Sequence, residues 1–133
     1  GNRYVLGSRG LGDVYKRQHP SAVIDDTVQI GYAVVIMANA VINANTMIGN
    51  SVIVNTASSI DHDCIINDYV HISPGVHIAG NVHIGEETWL CIGSIIINNI
   101  TIGANIIVGA GGVVIYDINE NGTFVGCPIR RIR

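Results

Sequence analysis

An aliphatic side chain returns at every sixth position from Ile24 onward: Ile30, Ile36, Ile42, Ile48, Val54, Ile60, Ile66, Ile72, Ile78, Ile84, Leu90, Ile96, Ile102, Val108 and Val114. Four places after each of these the side chain is mostly small or β-branched, as at Val28, Ala40, Thr46, Ser58, Cys64, Val76, Thr88 and Ser94. One place after them Gly, Asn or Asp recurs, as at Gly31, Asn43, Gly49, Asn55, Asn67, Gly85 and Gly103. Residues of that kind tolerate unusual backbone angles, so they are expected to form corners between short strands. Helical spacing is absent, and strict alternation is confined to short pieces. The pattern predicts an all-β chain wound as a parallel β-helix, with a triangular coil of about 18 residues. The aliphatic ladder fills the inside, and successive coils stack about 4.8 Å apart.

The repeat divides the chain into three parts. Residues 19–115 carry the helix, and residues 116–133 (YDINENGTFVGCPIRRIR) leave the period and are expected to cap its open end. Residues 1–18 lie outside the repeat. Their GSRGLG piece follows YVL, but no helix and second strand complete a dinucleotide-binding unit. GLGDVYKRQ resembles a translated sequencing adapter, so this segment is expected to be non-native or a truncated remnant.

Composition narrows the classes. The chain of 133 residues is 48% hydrophobic and only 13% charged, which calls for a large core or buried subunit surfaces. Asn and Gly interrupt every apolar run before it reaches the length of a membrane-spanning helix, and no signal-peptide pattern opens the chain. A net charge of −3 with scattered Lys and Arg argues against a nucleic-acid partner. Cys64, Cys91 and Cys127 are odd in number and lack metal-type spacing, which fits reduced thiols in the cytoplasm. Flat, weakly charged faces are expected to pack into a closed ring, a homotrimer.

Candidate chemistry gathers in IDHDCIINDYVHI, residues 60–72. His62 and His71 lie nine residues apart, half a coil, and so face opposite sides of one prism. They can meet only across a protomer boundary. Gly80 follows His62 by 18 residues and should stack directly on it, leaving room beside the imidazole and a backbone N–H.

The segment NTASSIDHDCIINDYVHISPGVHIAGNVHIG resembles the bacterial sugar acetyltransferases of the NeuD/PglD type, which acetylate sialic acids or nucleotide-linked amino sugars. The likeness runs from HPSAVI at residue 19 to GCPIRRI near the end, without the small N-terminal α/β domain usual in that family. It implies a left-handed coil, acetyl-CoA as donor and a sugar or nucleotide-sugar as acceptor. It also implies that His62 is the general base, a task imidazole suits near neutral pH, and that Asp63 orients it. Gly80 is matched to the N–H donor facing the thioester oxygen, His71 to a cofactor contact, Asn55 to the acceptor side, and Gly126 and Pro128 to the nucleotide end of CoA.

Other readings attach to the same residues. His77 and His83 are expected to be outward imidazoles at protomer contacts, Cys64 a buried inert thiol, and Cys91 without chemistry. Arg130, Arg131 and Arg133 either meet CoA phosphates or form a frayed basic tail. A non-catalytic trimeric scaffold is the alternative. A carbonic-anhydrase-like zinc site would need three converging imidazoles, and His71, His77 and His83 point to three different faces; no metal is expected.

Overall fold

The computed structural model describes Val5, Leu6 and residues 17–133, and the adapter-like segment falls almost wholly outside these. Among the described residues there is no helix. Two-residue strands recur every six residues and stack into three sheets, the walls of a left-handed triangular β-helix of about six coils. Between Arg17 and Val114 each strand residue pairs with the one eighteen away: His71 with Trp89, His77 with Ile95, His83 with Thr101. The register starts at Arg17–Gln18, which pairs in parallel with Val35–Ile36 and in antiparallel with Val5–Leu6.

The ladder is the core. Ile36, Val54, Ile60, Ile72, Ile84 and Leu90 are wholly buried, because a hexad can remove its aliphatic residue from water only by pointing it inward. The residue before each turns outward. The first wall therefore presents Val35, Ile53, His71, Trp89 and Ile107, the second Val41, Ser59, His77, Ile95 and Val113.

The corners differ from expectation in one respect. Left-handed backbone falls three places after the ladder residue, not one: at Ala33, Asn39, Asn45, Ser51, Ala57, Asp63, Tyr69, Asn81, Glu87, Asn99 and Asn105, with φ between 56° and 63°. The glycines one place after the ladder serve a different need. A Cβ on Gly85 would stand 2.4 Å from the Gly103 carbonyl carbon and 2.5 Å from Ala104 N. These small residues let one corner lie directly on the backbone of the next. Gly85→Ala should therefore cost on the order of 1–3 kcal/mol, since rigid backbone must move apart. The check is a lowered melting temperature.

At the C-terminal end Gly122–Gly126 adds to the first wall beside Ile106–Val108, then pairs in antiparallel with Ile129–Arg131. Phe124 and Ile129 are buried with the core. Tyr116 donates its hydroxyl proton to the Ile129 carbonyl.

Candidate active site

Asp61, His62, Asp63 and Cys64 form the corner between the second and third walls. The left-handed backbone at Asp63 (φ 58°) turns its carboxylate back along the chain. Asp is among the residues that adopt this conformation with least strain. His62 Nδ1–H donates to Asp63 Oδ2 at 2.8 Å, which leaves Nε2 as the proton acceptor of the ring. The corner is pinned further, because the His62 N–H donates to Asp61 Oδ1 at 2.8 Å and Asn43 Nδ2 donates to the same oxygen at 3.2 Å.

Gly80 lies one coil above, and the expected stacking is present. A Cβ there would stand 2.6 Å from His62 Nε2 and 2.7 Å from Cε1, so only a bare Cα fits against the ring. The His62 carbonyl accepts from Asn81 N–H at 2.9 Å and the Gly80 carbonyl from Asn99 N–H at 3.0 Å, binding the three corners in sequence. The Gly80 N–H itself donates to no backbone carbonyl among the described residues. His62 N–H finds Asp61 and Thr56 N–H finds Asn55, but Gly80 follows Ala79, which carries no acceptor. The corner thus sets the His62 Nε2 against the Gly80 Cα, with the Gly80 N–H unpaired to any backbone carbonyl among the described residues.

His71 stands on the first wall, away from this corner. Asn55 Nδ2 donates to its Nε2 at 3.4 Å, so the proton of the neutral ring sits on Nδ1. Partial burial holds its pKa below the ordinary imidazole range, favouring that neutral form. Trp89, which the sequence reading passed over, lies parallel to the His71 ring with centroids 6.0 Å apart. Its indole N–H donates to Ser73 Oγ at 2.9 Å, fixing the ring on the wall. The offset of one coil from His71 was the signal that marks it. The two residues that the resemblance assigned to donor and acceptor, His71 and Asn55, are thus neighbours. Gly126 and Pro128 are exposed in the terminal hairpin, which extends the same wall.

On the second wall Ser59 Oγ and His77 Nδ1 are 2.6 Å apart. They line a shallow groove of about 330 Å³ with Asp61, Ala79, Ile95 and Ile97, and it runs up to the His62 corner. His83 is exposed on the third wall. Arg131 is not frayed, for it donates to the Asn121 carbonyl at 3.0 Å and lies 3.6 Å from Glu120. Among the described residues no three His, Cys, Asp or Glu side chains converge to hold a metal ion, and no helix is long and apolar enough to cross a membrane.

The fold is shared with solved enzymes. A GDP-perosamine N-acetyltransferase from Caulobacter crescentus, crystallised with CoA and GDP-perosamine, matches at 39% identity and a TM-score of 0.88, over 89% of this chain and 56% of that one. The acetyltransferase domain of PglB from Neisseria gonorrhoeae, in complex with acetyl coenzyme A, matches at 39% identity and a TM-score of 0.87, over 88% of this chain and 57% of that one. WeeI from Acinetobacter baumannii matches at 33% identity, with a TM-score of 0.85 over 88% and 57%. No protein-family model and no curated protein matches. The chain is a left-handed β-helix that resembles the hexapeptide-repeat sugar acetyltransferases along nearly its whole length. It spans a little over half the length of the first two, at 56% and 57%.

Proposed function

We propose that this chain is the acetyl-transfer half of a homotrimeric sugar acetyltransferase, taking acetyl from acetyl-CoA and placing it on an amine or hydroxyl of a sugar or nucleotide-sugar. The observation that carries this reading is the His62–Asp63 pair with the open Gly80 N–H beside it. In the reaction, His62 Nε2 removes the proton from the acceptor amine or hydroxyl as that group attacks the thioester carbon. Asp63 holds the ring and stabilises the imidazolium. Negative charge gathers on the thioester oxygen, where the Gly80 N–H donates; a donor of this kind contributes about 3–4 kcal/mol to the transition state. The C–S bond then breaks, the acyl C–N or C–O bond is complete, and the imidazolium returns its proton to the CoA sulfur. No acyl-enzyme forms.

Assembly is part of the reading. The His62 and Asp63 side chains are 58% and 54% exposed, too wet for such chemistry until a second surface covers them. The first wall of a neighbouring protomer supplies that surface, bringing His71 and Trp89 to the cofactor and Asn55 toward the acceptor. Gly126 and Pro128, on that same wall, meet the nucleotide end of CoA.

Calorimetric titration of acetyl-CoA, paired with sedimentation of the same sample, tests this. A trimer binding about one acetyl-CoA per chain is expected. A folded trimer that binds none would leave the scaffold reading, and a monomer that binds would remove the shared site.

A further inference from the structure

Two buried side chains lie directly behind the proposed catalytic corners. Thr46, wholly buried, donates from Oγ1 to the Asp61 carbonyl at 2.8 Å and accepts from Cys64 N–H at 3.2 Å. Cys64, also wholly buried, repeats the arrangement one coil higher. Its Sγ donates to the Ala79 carbonyl at 3.2 Å, and the Val82 N–H points to the same sulfur.

Corners between the first and second walls close on themselves, the fourth residue's N–H donating to the first residue's carbonyl: Ser58 to Asn55 at 3.2 Å, Val76 to Ser73 at 3.3 Å, Ser94 to Cys91 at 3.2 Å. At 61–64 and 79–82, as at 43–46, 67–70, 85–88 and 97–100, no such bond forms, and at these two corners a hydroxyl or thiol from the coil below donates to the first carbonyl.

The peptide plane turns this into direction. In a trans peptide the carbonyl of one residue and the N–H of the next point opposite ways. A thiol drawing the Ala79 carbonyl inward must therefore send the Gly80 N–H outward, onto the side where the His62 ring lies. Thr46 does the same to the peptide joining Asp61 and His62, where Asp61 Oδ1 takes the outward N–H. Burial raises the thiol pKa, so Cys64 keeps the proton it donates.

We infer that Cys64 is a positioning residue that aims the Gly80 N–H at the reacting oxygen, with Thr46 setting the His62 corner beneath it. The inference rests on the proposed function for its catalytic meaning, not for its geometry. Thr88 supplies the control. It is equally buried and makes the same pair of bonds, to the Gly103 carbonyl at 2.8 Å and from Ile106 N–H at 3.2 Å, at a corner far from His62.

The experiment compares C64V, C64S, T46V, T46S and T88V by melting temperature, by the amide resonance and hydrogen exchange of Gly80, and by kcat and KM for acetyl-CoA with GDP-perosamine as acceptor probe. C64V should move the Gly80 amide and lower kcat roughly tenfold to a hundredfold with KM little changed. C64S, which keeps a donor, should restore both. T46V should move the His62 resonances, T46S restore them, and T88V should lower only the melting temperature. If C64V does not fold, Cys64→Ala carries the comparison. An unmoved Gly80 amide in the variant, or kcat losses in C64V and T88V that match, would overturn the inference. A wild-type protein without turnover would sink the proposed function alone, because the Gly80 amide still reports whether Cys64 aims it.

Discussion

His62→Ala should bind acetyl-CoA as the parent does and lose kcat by on the order of 10²–10⁴, the usual contribution of a positioned base. The side chain is more than half exposed, so its removal leaves no cavity and the melting temperature should hold. The split is diagnostic, because a residue that only bound the cofactor would raise KM and spare kcat. Raising the pH should recover part of the activity on an amine acceptor, since the amine then arrives deprotonated. Full turnover in this variant on an accepted sugar would refute the mechanism.

Gly80→Ala should be nearly as damaging, for a different reason. Gly80 has no left-handed backbone, and the nearest atoms to an added Cβ all belong to the His62 ring, at 2.6, 2.7 and 3.2 Å. The methyl can be accommodated only by swinging the imidazole out of place. A loss of about a hundredfold in kcat is expected, as for a misplacement near 1 Å. Fold stability should be spared, in contrast to Gly85→Ala, where the obstacle is backbone. A double-mutant cycle separates this from a general disturbance: once His62 is alanine the added methyl has nothing to displace, so the double variant should be no worse than His62→Ala. Additive losses would show that Gly80 acts through something other than the ring.

The ladder was legible in the sequence because the same place in every hexad from Ile36 to Val114 is buried, and Ile60 through Ile84 fill their places as read. The stacking of Gly80 on His62 followed from the same count. The corner chemistry was harder to read. Left-handed backbone at Ala57, Tyr69 and Glu87 leaves no compositional mark, whereas glycines at Gly49 and Gly85 look conformational and are there for close approach. Trp89 beside His71, and Thr46 behind Asp61, are fixed by neighbours one coil away, which a hexad-by-hexad reading does not compare.

The eighteen-residue register has a bearing on how such a chain can change length. Every wall is a column in which each coil touches only the coils above and below it. Deleting one residue reverses the inward and outward side chains beyond it, so a deletion between His71 and Trp89 would set Leu90, not Trp89, beside His71. Insertions that begin and end at one corner, or that add a whole coil, leave every column intact. A whole coil inserted between Asp63 and Gly80 would preserve the prism and still separate the base from its donor by one rung. Divergence in this architecture is therefore expected to appear as corner loops and coil number, with the interval from His62 to Gly80 held fixed wherever the two work together.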